Sequence, residues 1–318
     1  MKTLSNVSVR PFCFTAIFYI ITLFRMVIVM KLINYQTKDG VRFGIRTENG
    51  IVDVRSTVEK AGLTAPTSVE EVIAAGQSGL DQLHQVLSQA DELIEESTIT
   101  YASAVVQKPN KIICSGANYL AHVAEANLSI PEFLIYFPKY SNSLAAHNEE
   151  IVPPTVTKQV DYEVEMVVVI GQQAHNVSKE DALNYVFGYA TGNDFSARDL
   201  QFRGVQWLMG KAIDKFAPIG PYLVTADEVP NPQNLDLKCW VNGELRQSSN
   251  TEKMIFSIAE MISDLSQVMT LEPGDVIFTG TPEGVIVGME EKNWLQPGDE
   301  IVCEVEGLGR LVNRLGAQ

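Results

Sequence analysis

Three acidic residues recur at every second position at the head of an apolar run. They are Asp161, Glu163 and Glu165, and the residues that follow, 166–170, are apolar and mostly β-branched. Alternate side chains of a β-strand lie on one face, so we expect these carboxylates to point the same way. At the rim of a buried sheet they need a cationic partner, because unpaired buried charge is costly. A divalent metal or an Arg/Lys network would supply it, and an edge strand with its acids in water is the alternative.

A second candidate pair follows an apolar strand and a Gly-Ala-Asn turn. The turn leads into a short predicted helix in which His122 and Glu125 are three residues apart. That spacing makes them neighbours on one helix face. A carboxylate beside an imidazole can orient it and raise its basicity, as a general base requires. Exposed His/Glu pairs are common, so an ordinary surface pair stays open on spacing alone.

Further residues of interest lie at strand ends and in apolar surroundings. Asp194 ends a predicted strand and is a candidate third metal ligand, with a simple turn residue as the alternative. Ser196 and Asp199 have the spacing of a capping box and predict a helix that begins after Ser196. Lys211 follows a glycine in an apolar setting and is a candidate for stabilising an anion. Lys139 is placed beyond a mobile loop, with a solvated surface lysine as the alternative.

Length and composition bound the class of protein. The 318 residues are 46% hydrophobic and 20% charged, which predicts a globular chain with one large domain or a large and a small one. A net charge of −15 argues against nucleic-acid binding, which needs clustered Lys and Arg. An anionic substrate would need local positive charge. The four cysteines are scattered without a C-x-x-C pair, so we predict reduced thiols in the cytoplasm.

The first 29 residues form a hydrophobic leader. Residues 11–30 are nearly all apolar, interrupted by Arg25, which would lie deep within a membrane anchor. We therefore expect the natural protein to start at Met30, where a first strand begins. The alternative is a chain tethered to a membrane through residues 11–30.

The rest of the chain divides into two predicted domains, a small α+β domain over 30–107 and a mainly β domain over 108–318. Turn signals such as Asn242-Gly243 separate short strands in both. The predicted elements of the small domain are strands Lys31–Tyr35, Val41–Ile45 and Ile51–Val54 and helices Ser68–Ala75 and Gly79–Glu95. In the larger domain, helices are predicted near Lys179–Val186 and Ser257–Met269.

Five segments in this order resemble the fumarylacetoacetate hydrolase superfamily. The resemblance spans residues 111–315, about two thirds of the chain, and the segments are specific in combination rather than singly. The segments are Asn118-Tyr119-x-x-His122-x-x-Glu125, Asp161-Tyr162-Glu163-Val164-Glu165, Asp194-Phe195-Ser196-Ala197-Arg198-Asp199-x-Gln201, Lys211, and Thr279-Gly280-Thr281-Pro282-x-Gly284-Val285.

The resemblance implies a predominantly β, α+β fold with a mixed β-roll core, usually in a homodimer. It implies Mg²⁺ or Mn²⁺ held by Glu163, Glu165 and Asp194, and three carboxylates do make the hard oxygen site that these ions prefer. It also implies a lid that carries His122 and Glu125 over the substrate.

Four further residues are implied at the substrate. Lys211 is expected to add positive charge beside the reacting oxygen, and Gln201, Thr281 and Lys139 to contact the substrate. Ala117 and the stretch 145–148, Ala-Ala-His-Asn, depart from the family pattern near the lid.

The reaction implied is hydrolysis of a C–C bond in an acylpyruvate or other diketo acid through a pyruvate enolate. In it, His122, oriented by Glu125, activates water. Decarboxylation or tautomerisation of oxaloacetate, or another isomerase or hydratase reaction on a 2-oxo acid, would use the same intermediate. A non-enzymatic scaffold that keeps the fold is the alternative of a different class.

Overall fold

The computed structural model describes residues 30–317 of the chain. The predictions about the leader, a start at Met30 or a membrane tether, concern residues outside that range. Among the described residues, no helix combines the length and apolar character that crossing a bilayer requires. Met30 itself is buried, and its carbonyl accepts a hydrogen bond from Thr225 N at the end of a neighbouring strand.

The described chain is built mainly from short strands joined by turns. The strands are β1 (Lys31–Thr37), β2 (Gly40–Thr47), β3 (Gly50–Asp53), β4 (Thr100–Tyr101), β5 (Ile112–Gly116), β6 (Ile135–Lys139), β7 (Leu144–Ala145), β8 (Glu150–Ile151), β9 (Val160–Asp161), β10 (Val164–Ile170), β11 (Val186–Asn193), β12 (Ser196–Ala197), β13 (Ala217–Pro218), β14 (Leu223–Thr225), β15 (Asp236–Val241), β16 (Glu244–Asn250), β17 (Val276–Phe278), β18 (Glu300–Val305) and β19 (Gly309–Leu315). The α-helices are α1 (Val54–Ala61), α2 (Val69–Ala75), α3 (Gln77–Gln89), α4 (Leu120–Glu125), α5 (Arg198–Gln201), α6 (Leu208–Lys211) and α7 (Ile258–Val268).

Two large sheets organise these strands. The first has the order β3-β2-β1-β14-β11-β10-β17-β5-β6, with β4 paired to β1, and the second has the order β16-β15-β18-β19-β8. Neighbours are antiparallel except for β17 with β5 and β19 with β8. This is the mainly β, α+β architecture that the sequence predicts.

Strand β10 lies at the centre of the first sheet and is buried along its whole length. Val164, Met166 and Val168 belong to a core shared with the second sheet and α7. Val167 and Val169 face the opposite way, into a core that β1–β3 and the N-terminal helices cover. A strand covered on both faces explains a continuous apolar run in place of alternation.

The N-terminal strands continue the main sheet, because β1 pairs with β14 through Lys31 and Leu32. The domain boundary near residue 107 stays a prediction. The small-domain elements are found close to their predicted ranges. Two boundaries differ. Val54 starts α1, because Asp53 caps that helix, and α3 ends at Gln89.

Two local predictions in the larger domain are wrong. The helix predicted near Lys179–Val186 is only a 3₁₀ turn, Ala182–Tyr185. Ser196 does not cap a helix, because it lies in β12 opposite Asp161 and its hydroxyl donates to Asp194 O. Asp199 instead accepts hydrogen bonds from Thr157 Oγ1 and Lys158 N, which ties α5 to the loop before β9.

Candidate metal centre and substrate cavity

Strand pairing brings three carboxylates together at one end of the main sheet. Glu163 precedes β10, Glu165 is its second residue, and Asp194 follows β11. The two strands are antiparallel in a register that pairs Val164 with Asn193. Asp194 N also donates to Glu163 O at 2.9 Å. One oxygen of each carboxylate lies within 4.8 Å of the others, and all three residues are buried.

Asp161 is not part of this group, which corrects the expectation of one common acidic face. The strand pattern stops after Asp161 and resumes at Val164, so the alternation is broken between them. The Asp161 carboxylate instead accepts hydrogen bonds from Ile286 N and Val287 N, at 2.9 and 3.0 Å. It therefore fastens the loop after β17.

Buried cations pair with most of the acids. Lys211 Nζ lies 2.7 Å from both Glu163 Oε2 and Asp194 Oδ2. The Arg198 guanidinium bridges Asp161 and Glu163 at 2.8 and 2.7 Å. Burial opposes ionisation of Glu163, but Lys211 and Arg198 outweigh it and lower the pKa of Glu163 to about 2. An Arg/Lys network, one of the two sources of charge expected from the sequence, is thus present.

Glu165 differs from the other acids because it makes no ion pair with any residue of the described range. Its Oε2 accepts one hydrogen bond, from Gly280 N at 2.7 Å. Burial, followed by the charges on Asp194 and Glu163, raises the pKa of Glu165 well above its ordinary value. The cluster therefore has a carboxylate whose charge the protein does not balance, at the edge of the cavity described below.

A divalent cation fits this arrangement. Oxygen ligands on one Mg²⁺, each at about 2.1 Å, lie up to roughly 4 Å apart, so the 4.8 Å limit requires only a small contraction. An all-carboxylate donor set suits Mg²⁺ or Mn²⁺ rather than zinc, which prefers nitrogen and sulfur. The ion would also supply the positive charge that Glu165 lacks.

Glu163, Glu165 and Lys211 form the polar floor of a cavity of about 470 Å³, and Asp194 lies behind that floor, in contact with Lys211. Helix α4 brings His122 and Glu125 to its wall, with His122 Nδ1 3.0 Å from Glu125 Oε1. Glu125 Oε2 accepts a hydrogen bond from Gly284 N at 2.9 Å, so the carboxylate holds both the imidazole and the glycine-rich loop. Phe137 and Trp207 add an aromatic wall, with ring centroids 5.3 Å apart in an edge-to-face arrangement.

Two of the three residues predicted to contact substrate line this cavity. Gln201 Oε1 accepts a hydrogen bond from Arg198 at 2.9 Å. The Thr281 hydroxyl donates to Val164 O at 2.9 Å. Both are held in fixed positions at the polar end, where a carboxylate or keto oxygen could reach them.

The third, Lys139, is not at the cavity surface, contrary to the expectation of a substrate contact beyond a mobile loop. It is the last residue of β6, 1% exposed, and its ammonium lies 2.6 Å from Asp194 Oδ1. It also donates to Phe195 O and Phe216 O. Lys139 therefore lies behind Asp194 and holds that carboxylate in place.

Sequence reasoning gave no role to several residues that complete the site. Arg198 lay within a recognised segment, and its pairing with two acids far away in sequence carries no local signal. Gln247 accepts from Val164 N and donates to Thr281 Oγ1, which fixes the start of β10 against the glycine-rich loop. A lone glutamine in a hairpin strand does not reveal such a contact.

Comparison with known proteins agrees with this geometry. Residues 111–316 match the family described as fumarylacetoacetate (FAA) hydrolase C-terminal. A mitochondrial oxaloacetate tautomerase of Rattus norvegicus is 39% identical over 293 residues, covering 90% of this chain and 91% of that protein.

Solved structures show the same fold. The fumarylacetoacetate hydrolase of Exiguobacterium antarcticum superimposes with a TM-score of 0.79 at 34% identity, covering 91% of this chain and 100% of the other. The maleylpyruvate hydrolase of Sphingobium sp., in complex with manganese(II) ion and pyruvate, has a TM-score of 0.75 at 30% identity, covering 91% and 99%.

The fold and the site define a metal-dependent enzyme class that acts on small 2-oxo acids. This chain belongs to the fumarylacetoacetate hydrolase family, as the sequence motifs indicated.

Proposed function

We propose that this protein is a Mg²⁺- or Mn²⁺-dependent enzyme that interconverts the keto and enol forms of a 2-oxo dicarboxylic acid such as oxaloacetate. The observation that carries the proposal is the convergence of Glu163, Glu165 and Asp194 at one point, where Glu163 and Glu165 line the same cavity as His122. The oxaloacetate tautomerase of Rattus norvegicus, 39% identical over 90% of this chain, supports this choice of reaction.

The ion would be held by Glu163, Glu165 and Asp194, and when bound it supplies Lewis-acid stabilisation of negative charge on a keto-acid oxygen. Lys211 adds a fixed positive charge beside the same oxygen, because Glu163 and Asp194 keep its ammonium at the cavity floor. Gln201 offers its amide N–H groups to orient the substrate carboxylate, and Thr281 would do so with its hydroxyl only after releasing the hydrogen bond to Val164 O.

His122 is the proposed proton carrier. Glu125 Oε1 accepts from Nδ1, which fixes the neutral tautomer that leaves Nε2 free to accept a proton. In tautomerisation His122 removes a proton from the carbon next to the keto group, and the electron pair moves to the keto oxygen as an enolate. The protonated His122 then returns its proton to that oxygen to give the enol, and the reverse sequence restores the ketone.

Hydrolysis of an acylpyruvate C–C bond is the second candidate, and the size of the cavity favours it. A volume of about 470 Å³ leaves space for a longer substrate and a water molecule. In that reaction His122 would deprotonate water for attack on the distal carbonyl. The C–C bond electrons would then leave as the enolate that tautomerisation also forms.

The homodimer predicted from the sequence is part of this proposal. Segments 128–135 and 202–209 border the cavity and expose large apolar side chains, including Phe133 at 74% and Val205 at 92%. A partner subunit would cover such surfaces. Light scattering of the purified protein measures its mass in solution. The choice between Mg²⁺ and Mn²⁺ and the cytoplasmic location also stay predictions.

The test measures the activity of the protein toward several 2-oxo acids. The chelated protein, loaded with Mg²⁺ or with Mn²⁺, is assayed for oxaloacetate tautomerisation, oxaloacetate decarboxylation, and hydrolysis of acetylpyruvate and fumarylpyruvate. We expect metal-dependent tautomerisation that His122→Ala reduces at least 100-fold. His84→Ala, on the exposed face of α3, is the matched control and should keep full activity. Metal-independent turnover, or equal activity in His122→Ala, would contradict the proposal.

A further inference from the structure

Among residues 30–317, three cationic side chains line the cavity, and two of them pair with buried acids. Arg198 binds Asp161 and Glu163, and Lys211 binds Glu163 and Asp194. Their charges are therefore largely neutralised at the cavity floor. Lys211 keeps one N–H donor, which the proposed function assigns to the reacting oxygen, so a second anionic group of the substrate needs another cation.

The third cation, Lys292, is an exposed residue of the cavity lining, whereas Arg198 and Lys211 are buried. It belongs to an exposed segment at the mouth, and Nζ donates one hydrogen bond, to Met289 O at 2.8 Å. No carboxylate of the described residues forms an ion pair with it. An ammonium group has three donors, so two remain for a ligand.

The rest of the cavity lining suits an extended carbon chain. It includes the apolar and aromatic side chains of Phe137, Trp207, Phe202 and Met289. The volume of about 470 Å³ exceeds what a three-carbon 2-oxo acid would fill. A ligand anchored by its 2-oxo carboxylate at the floor would extend along apolar and aromatic side chains, and its far end would reach the mouth.

We propose that Lys292 determines specificity by binding the distal carboxylate of a 2-oxo dicarboxylic acid whose chain is longer than that of oxaloacetate. This inference rests on the proposed function, because it assumes that the 2-oxo end binds at the floor. With a net charge of −15, the protein repels a dianion, so selective binding needs a local positive charge such as this one. Glu290 also lines the cavity, and its negative charge opposes the positive charge of Lys292. Substitutions of Lys292 and of Glu290 should therefore change the affinity for a dianion in opposite directions.

The experiment measures binding of two unreactive ligands of equal length. Calorimetry with Mn²⁺-loaded protein compares 2-oxoadipate, which ends in a carboxylate, with 2-oxohexanoate, which ends in a methyl group. We expect Lys292→Met to reduce the affinity for 2-oxoadipate about tenfold and to change the affinity for 2-oxohexanoate less than about twofold. Glu290→Gln should increase the affinity for 2-oxoadipate. The preference of the wild-type protein for 2-oxoadipate over 2-oxohexanoate should decrease as salt is added.

Controls separate this inference from the proposed function. Lys38→Met, in the exposed β1–β2 turn, should leave both affinities unchanged. Oxalate, which probes only the metal and floor, should bind Lys292→Met as it binds wild type. Equal effects of Lys292→Met on the two 2-oxo acids, or no effect on either while oxalate binds normally, would overturn the role of Lys292 alone. Absence of binding by oxalate and by both 2-oxo acids would overturn the proposed function together with it.

Discussion

The Glu125 carboxylate is hydrogen-bonded to Gly284 N at 2.9 Å, which fastens helix α4 to the glycine-rich loop. The same loop passes so close that a methyl group added at Gly288 would lie 2.6 Å from Glu125 Cδ. The position of the His122–Glu125 pair therefore depends on two glycines of this loop, Gly284 and Gly288. This relationship predicts that Gly288, a glycine of the cavity wall, is important for catalysis.

We expect Gly288→Ala to reduce kcat roughly 10- to 100-fold, because Glu125 must shift and carry His122 out of position. The metal-induced rise in Tm should be unchanged, because the carboxylate floor is untouched. Gly204→Ala is the matched control, since a methyl group there meets no atom within 4 Å. Steady-state kinetics and thermal melts check both variants, and normal kcat in Gly288→Ala would show that Glu125 tolerates displacement.

Because Glu165 has no ion-pair partner among the described residues, we expect Glu165→Gln and Glu163→Gln to differ in their effect on the stability of the metal-free protein. Glu165→Gln should abolish stabilisation by Mn²⁺, which for wild type is about 2.7 kcal/mol at 100 times Kd. It should leave the metal-free protein as stable as wild type, because no cation loses its partner. Thermal melts with and without Mn²⁺ measure this, and a persisting metal-induced shift would remove Glu165 from the ligand set.

Glu163→Gln should behave differently, because Lys211 and Arg198 both pair with this carboxylate. Leaving buried charges without a partner costs about 3 kcal/mol or more, so the metal-free variant should unfold more easily than wild type. Urea unfolding in the presence of a chelator measures the loss. Equal metal-free stability of the two variants would show that the Arg/Lys network contributes no net stability.

Much of the site could be predicted from local patterns. The alternation of a strand predicts that Glu165 in β10 and Glu163, directly before β10, point the same way, and helical spacing places His122 beside Glu125. The Asn242-Gly243 turn likewise connects two paired strands, β15 and β16. In each case the residues that interact are close in sequence, so their geometry follows from one element.

Other features depend on contacts between distant segments and could not be predicted in this way. Asp161 leaves the acidic face because Arg198 and the loop at Ile286 bind it, and neither partner is near it in sequence. Lys139 looks like a surface lysine until β6 is placed against Asp194. Only the assembled sheet shows which of several cations meets which acid.

His147 predicts how stability changes with pH. Its Nδ1 accepts a hydrogen bond from Val312 N, and its ring meets Tyr101 edge-on at 4.5 Å. Burial lowers the pKa of His147 to about 4, with Glu96 opposing weakly. The unfolded chain binds this proton near pH 6.5, so the free energy of unfolding should fall between pH 6.5 and 4, by about 3 kcal/mol in total.

The His147→Asn variant isolates this contribution, because the asparagine oxygen can still accept from Val312 N and does not titrate. Urea unfolding at several pH values between 7 and 4 gives the free energy for both proteins. The difference between them should change in favour of the variant as pH falls. Parallel pH profiles would show that protonation of His147 costs nothing in the folded protein.

Asp161 is not one of the proposed metal ligands, yet it connects the cavity floor to the glycine-rich loop. Its substitution should therefore lower stability and kcat without abolishing metal binding. In Asp161→Asn an amide N–H would replace one acceptor and face the donors Arg198 and Val287 N. We expect a loss of about 3 kcal/mol in the free energy of unfolding, since Arg198 would keep its buried charge with one partner fewer. We also expect a lower kcat, because the loosened loop holds Glu125.

The Mn²⁺-induced rise in Tm should remain in Asp161→Asn. The control Asp39→Asn, at an exposed residue, should change neither stability nor kcat. If Asp161→Asn removed the metal-induced shift, Asp161 would itself belong to the metal site, and the ligand set would need four carboxylates.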